Sequence, residues 1–262
     1  MLVRNDQSIY TSYAREWWSG RHRWLRTLQN LVPARLRMFD ERVGTWSGKT
    51  VLDLGCGGGF MAEAMASRGA RVIGVDPAEA AVDIARKHAE RAGLSIDYRV
   101  GTGERLPVDS QSLDCVVCVD VLEHVSDVEA VLGEVARVLK PGGLFLFDTI
   151  NRNRIAGFLV IFLGERVLGI LRRGTHDPTK FIKPTELAAT LERTGFRGTR
   201  LTGLGPRGLD RRLDLTFGPL PTTLVMYLGH ATRSVQAFSE RSERNLAKSW
   251  PIMGSTIQGQ QL

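Results

Sequence analysis

The stretch Val51-Leu52-Asp53-Leu54-Gly55-Cys56-Gly57-Gly58-Gly59 decides how the rest of this chain is read. A short apolar strand ends in an acid and a glycine cluster, and Met61–Ala66 then reads as a helix. Glycines let a backbone turn sharply and approach a ligand without side-chain clash. A dinucleotide site wants G-x-G-x-x-G, with the last glycine opening the helix. Gly55 and Gly57 fit, but Phe60 holds the third required position. The pattern is instead D-x-G-x-G-x-G. An acid beside such a loop suits an ammonium group better than a pyrophosphate. The competing reading, a purely structural turn, is weighed against by the signals downstream.

Strands alternate with helices on either side of this loop. Thr50–Leu54, Arg71–Val75, Ile96–Val100, Asp114–Val119 and Leu144–Thr149 read as strands, and Gly59–Ser67, Ala78–Ala92 and Val128–Leu139 as helices. Such alternation implies βαβ units and a parallel sheet. Lys140-Pro141-Gly142-Gly143 reads as a turn before the fifth strand. Residues 151–180 interrupt the pattern. Pro184 then opens a helix to Thr194, with Gly195 as its stop, and two more strand candidates follow at Gly198–Leu204 and Leu224–Gly229. Ahead of the sheet, Ser8–Trp18 and Arg21–Asp40 read as helical. The expectation is an α/β fold: a doubly wound, mostly parallel, seven-stranded, Rossmann-like sheet with N-terminal helices and a helical insertion after strand five. The organisation expected is a helical cap at 1–48, a ligand-binding domain at 49–233 with an apolar insertion at 151–180, and a mobile polar tail at 234–262.

An apolar fraction of 43% in 262 residues supports a sizeable core. The net charge of +7 suits acidic partners or, the reading preferred for global charge alone, reflects well-solvated arginines; no basic run with interleaved aromatics makes a nucleic-acid footprint. Three cysteines, Cys56, Cys115 and Cys118, give no disulfide framework and suit a reducing compartment. Cys115 and Cys118 face opposite sides of an extended strand, which argues against a zinc or redox pair. Met1–Asp6 has no apolar signal core, so a cytoplasmic location is expected.

The D-x-G-x-G-x-G loop resembles that of class I methyltransferases, which bind S-adenosylmethionine (SAM). Asp76 ends the second strand, where a carboxylate can accept both ribose hydroxyls of a nucleoside; the alternative is a turn initiator before Pro77. Glu104 follows the third strand, beside the expected adenine, and can also be an ordinary loop acid. Val119 ends the fourth strand, where its backbone can line the cofactor. Asp53 orients water or backbone near the sulfonium, or simply caps the loop.

Val51–Asp76, Cys118–Val125 and Lys140–Gly143 together resemble SAM-dependent methyltransferases broadly. Trp17-Trp18 ahead of Pro33-Ala34-Arg35-Leu36, then Asn151-Arg152-Asn153, then Gly174-Thr175-His176-Asp177 with Lys180–Pro184, resemble the O-methyltransferase family of ubiquinone biosynthesis. The resemblance runs from about Tyr10 to about His230. It implies a class I fold and methyl transfer to a phenolic oxygen of a polyprenyl-substituted ring. It also implies that Arg35 contacts SAM, and that Asp120, Glu123 and His124 hold Mg²⁺. Asp120 replaces the family's usual glutamate, and the Arg-rich segment after Leu204 matches weakly. Methylation of another small aromatic, or SAM binding without turnover at a membrane, stands as the alternative.

A phenol with pKa near ~10 is mostly protonated at neutral pH. Mg²⁺ or a positioned histidine, His124 or His176, would raise the phenolate fraction. Two hard oxygens and one imidazole make an awkward magnesium set, since that ion prefers oxygen. Ile155–Leu171 is apolar but broken by Glu165-Arg166, and falls short of the ~20 apolar residues of a spanning helix. A helical projection gives it no clean polar face. Arg152, Arg154, Arg172 and Arg173 flank it, so residues 151–173 are expected to dock on an anionic membrane, on its inner face; a lid packed on the core is the other reading. The substrate expected is a small lipophilic phenol or quinol. Composition and spacing leave the oligomeric state open.

Overall fold

The computed structural model describes Asn5 and residues 8–235. Most of the expected tail, from 236 on, lies outside the described residues. Helices α1 (Ser8–Ser12) and α2 (Arg23–Val43) precede the sheet, joined through a short 3-10 turn at Ala14–Glu16. The sheet then builds as β1 (Thr50–Leu54), α3 (Phe60–Ala66), β2 (Arg71–Asp76), α4 (Glu79–Arg91), β3 (Ile96–Val100), β4 (Leu113–Cys118), α5 (Val128–Val138) and β5 (Leu139–Ile150). After the insertion come α7 (Pro184–Arg193), β6 (Phe196–Leu209), β7 (Leu215–Leu220) and β8 (Met226–Arg233). The insertion itself holds α6 (Arg154–Gly157) and a π-helical segment at Phe158–Val167.

The strand order is β3-β2-β1-β4-β5-β8-β6-β7. The five strands from β3 to β5 run parallel, and β8, β6 and β7 continue antiparallel. The reversal between β1 and β4 opens the crevice in which ligands of such sheets bind. The sheet has eight strands rather than the seven expected. The eighth is β7, in the Arg-rich segment that reads as loop because it is dense in Gly, Pro and charge. Arg26 explains its placement: Nε and a terminal nitrogen donate to the two oxygens of buried Asp214 at 2.5 and 3.1 Å, tying the β6–β7 turn to α2. The Lys140–Gly143 turn falls inside β5 as an irregularity, where register on β4 skips from Leu113 to Cys115 while β5 advances from Leu139 to Leu144.

One apolar layer joins the sheet to α2, α3 and α4 through Trp24, Leu36, Phe39, Met65, Val82 and Cys115. The opposite layer joins it to α5 and α7 through Leu132, Val135, Leu187, Phe145 and Cys118. Cys115 and Cys118 thus lie on opposite faces, and both are free thiols. The π segment answers to a period wider than 3.6: Ala156, Val160, Gly164 and Glu165 face inward, while Phe158, Phe162 and Val167 stay exposed. Its bonds span i to i+5, as in Leu168 N–H to the Leu163 carbonyl at 2.9 Å. A 3.6-residue projection scrambles these two faces, which is why none was visible. Among the described residues no helix is long and apolar enough to cross a membrane.

Candidate active site

The C-terminal ends of β1, β2 and β4 open onto a cavity of about 680 Å³. Arg35, Asp53, Gly55, Gly57, Asp76, Glu104, Val119, Asp120 and His124 line it. Glu123 and His176 are buried just behind that wall. Asn5, Tyr10, Trp17 and Lys180 also line the cavity and were not among the expected site residues. Tyr10 and Asn5 carry no local motif, so only the folding of the N-terminal helices over the loop reveals them.

The glycine loop is shaped by close approach. Gly55 has φ +76°, and a Cβ there would stand 2.2 Å from Val121 Cγ2. Gly57 has φ +49°, and a Cβ there would stand 2.6 Å from the Trp17 ring. Asp76 accepts from the Gly57 amide and the Ala78 amide, each at 2.8 Å, so its carboxylate braces both the loop and the start of α4. Carboxylate oxygens retain further lone pairs for a ribose. Burial raises the Asp76 pKa above the usual carboxylate range, against those two amides. Asp53 is 1% exposed, and burial pushes its carboxyl up to about 7, with the Ala62 amide pulling it down and Asp76 adding to the rise. The Glu104 carboxylate accepts from Ser126 Oγ at 3.0 Å. The loop, the Asp76 brace and an acid-rich wall fit a cationic nucleoside such as SAM.

A buried ionic cluster sits across from the loop. Arg35, on the inward face of α2, donates from Nε to Asp148 at 2.6 Å and pairs with Asp120 at 2.6 Å. Burial opposes its charge, but Asp120 and Asp148 outweigh that and hold the guanidinium charged. Asp148 also accepts from the Asp120 amide at 2.8 Å, which fixes Asp120 at a left-handed φ of +54°. Asp148 escaped the sequence reading, although an acid inside the apolar run Leu144–Ile150 was a signal in plain view.

Beyond Asp120 lie Glu123, His124 and His176. Thr149 Oγ1 donates to Glu123 at 2.8 Å, and burial, with Asp120 and Asp148, pushes that carboxyl up to about 8. Burial and neighbouring His176 push the His124 imidazole down to about 3, so it is neutral at pH 7. His176 Nδ1 lies 3.0 Å from Glu165, whose carboxylate also accepts the Gly174 and His176 amides at 2.9 and 3.1 Å. Glu165 was read only as a charge interrupting the apolar insertion, and is buried instead. The atoms of Glu123, His124 and His176 that can bind a metal all lie within 4.8 Å of one another. Asp120 is outside that group, with one carboxylate oxygen paired to Arg35. Magnesium wants a near-octahedral shell of oxygens. Two imidazoles and one carboxylate do not fit it, so the set expected for Mg²⁺ at Asp120, Glu123 and His124 is not the one the fold brings together.

Comparison with known proteins agrees with this geometry. A family model described as a methyltransferase domain matches residues 52–147. The ubiquinone biosynthesis O-methyltransferase of Hahella chejuensis (strain KCTC 2396) is 45% identical over 87% of this chain and 93% of its own. That of Coxiella burnetii (strain RSA 493 / Nine Mile phase I) is 39% identical over 82% of this chain and 91% of its own. Among solved structures, magnesium protoporphyrin IX methyltransferase from Synechocystis PCC 6803 with bound SAH superposes with a TM-score of 0.62 at 19% identity, covering 87% of this chain and 100% of that one. The fold seen in the sheet order is therefore the class I methyltransferase fold, and SAM is its cofactor. The chain belongs to the ubiquinone biosynthesis O-methyltransferase family and is a SAM-dependent methyltransferase.

Proposed function

We propose that this enzyme methylates a phenolic hydroxyl of a polyprenyl-substituted catechol or quinol, taken from an anionic membrane surface. One observation carries the reading beyond the family: the π segment joins the two needs of such a substrate. Its outer face exposes Ile155, Phe158, Phe162, Val167 and Leu168. Arg154, Arg166, Arg172 and Arg173 are exposed around them, a pattern that suits anionic lipid. Its inner face carries Glu165, which reaches His176 beside the cavity. A lipid-resident ring would thus enter at the membrane and arrive at the chemistry.

The bound cofactor supplies a methyl group already activated on a sulfonium. Gly55 and Gly57 give it backbone room, Asp76 and Glu104 meet the nucleoside, and Val119 lines it. Asp53 and Asp120 lend negative charge to its cationic end, while Arg35 keeps Asp120 and Asp148 from repelling each other. The acceptor lies against neutral His124, and its hydroxyl gives its proton to His176, which Glu165 orients through Nδ1. Holding the oxygen in line with the methyl group supplies most of the remaining acceleration. We assign the described residues up to 48 the part of a cap over this site, because Tyr10, Trp17, Leu28 and Arg35 line its cavity.

Labelled SAM offered with catechols of increasing prenyl length tests the reading. Label transferred to tailed catechols, and increased by anionic vesicles, is the expected result. Label on untailed aromatics alone would replace the substrate proposed.

A further inference from the structure

We infer that Glu123, His124 and His176 form the site of one borderline transition ion, of the zinc class, and that Asp120 stands outside it. The inference rests on the methyl-transfer reading only for its place beside the acceptor. The three residues come from two distant parts of the chain, the loop after β4 and the end of the insertion. All are buried, and their binding atoms converge within 4.8 Å.

The outer partners make this more than a cluster. Metal-bound histidines hold their remote nitrogen against a carboxylate or amide oxygen, which fixes the tautomer that binds. His176 places Nδ1 3.0 Å from the Glu165 carboxylate. His124 places Nδ1 2.7 Å from the Asn5 side-chain oxygen. Glu123 is held at one oxygen by Thr149 at 2.8 Å, while its other oxygen, Oε1, is fully buried with no hydrogen-bond partner among the described residues. An unsatisfied buried carboxylate oxygen is costly, and a cation at the convergence point satisfies it. Glu165 sits in an apolar segment and pairs with His176 at 3.0 Å. Two buried carboxylates facing two imidazoles are balanced by a divalent charge.

Ligand type then selects the ion. Imidazole suits zinc and its neighbours, whereas carboxylate, carbonyl and water suit magnesium. Asp120, which would have tipped the set toward oxygen, lies outside the group and turns Oδ2 to Arg35 at 2.6 Å. His124 lines the cavity, and an ion held by three protein ligands would keep a fourth position for water or the acceptor.

Chelator-treated full-length protein is titrated with Zn²⁺ and with Mg²⁺ by calorimetry, and with Co²⁺ by visible absorption. Wild type, His176→Gln, Glu165→Gln and Asp120→Asn are compared, with SAM binding and circular dichroism measured on each sample. One equivalent of Zn²⁺ is expected, with Mg²⁺ far weaker, and with Co²⁺ bands of a low-coordinate nitrogen site. His176→Gln and Glu165→Gln should each weaken Zn²⁺ about 10- to 100-fold, and Asp120→Asn by less than about 3-fold. Equal Mg²⁺ affinity, absence of stoichiometric Zn²⁺, or metal lost in Asp120→Asn but kept in His176→Gln would overturn the inference. Should a variant misfold, the wild-type Co²⁺ spectrum decides: an all-oxygen, octahedral spectrum contradicts the site. SAM binding retained while metal binding fails refutes this site alone and leaves the methyl-transfer reading standing.

Discussion

The two halves of the sheet divide the work unequally. From β1 to β5 the strands are parallel, both faces are covered, and the cavity at their ends is lined by glycine backbone and acids. From residue 151 onward the strands turn antiparallel, and an insertion presents apolar side chains to the outside. The first half is dictated by close steric approach, and the second by what the surface must meet. Methyl-donor binding should therefore be intolerant of change in the first half and indifferent to the outer face of the second.

The largest effect expected is at Arg35, where the first half depends on a single buried cation. Arg35→Met leaves Asp120 and Asp148 facing each other inside the protein. Breaking a buried pair in this way costs about 3–5 kcal/mol, read as a lowered urea midpoint, and Arg35→Lys should recover part of it. A loss under about 1 kcal/mol would mean that the cluster behaves as a surface pair.

Gly55→Val comes next. Its Cβ meets Val121 Cγ2 at 2.2 Å and its φ of +76° strains any L side chain. SAM affinity by calorimetry should fall about 100-fold, near 2.7 kcal/mol. Gly169→Val, in the second half with nothing within 4 Å of its added Cβ, should leave that affinity within about 2-fold despite its positive φ.

A smaller effect follows from Asp53. With its carboxyl pushed up to about 7 in the free protein, it is partly protonated below that pH, and a cation beside it prefers the ionised form. SAM affinity should rise with pH up to about 7 and level off above, and Asp53→Asn should flatten the rise. The same group affects stability with the opposite sign. Its folded pKa is above the unfolded value, so the folded state holds the proton more tightly. Its contribution is full at low pH and is lost as pH climbs from about 4 toward 7. Asp53→Asn should remove that decline from a thermal-melt series across the same range.

Much of this division is legible in the sequence. The five parallel strands announced themselves by apolar runs bounded by helices, and the loop by glycines at positions that only they tolerate. Less was legible where meaning depends on long-range contact. The β6–β7 hairpin forms in a segment rich in Arg, Gly and Pro because Arg26 captures Asp214 from a distant helix. The two faces of the insertion were hidden by a π period. Asp148 and Glu165 are single acids in apolar runs, a visible signal whose partners, Arg35 and His176, only the fold supplies. His176 was visible as a residue, but its grouping with Glu123 and His124 required the insertion to fold back beside the loop after β4.

The most direct test of this division is the double variant Phe158→Asp/Phe162→Asp, assayed with anionic vesicles carrying a long-tailed catechol and, separately, with a soluble short-tailed one. Vesicle binding and transfer to the long-tailed substrate should drop together by about tenfold or more, while SAM affinity and transfer to the soluble catechol hold steady. Equal loss on both substrates, or undiminished transfer to the vesicle-borne one, would contradict the assignment of the outer face to the membrane and the inner cavity to the chemistry.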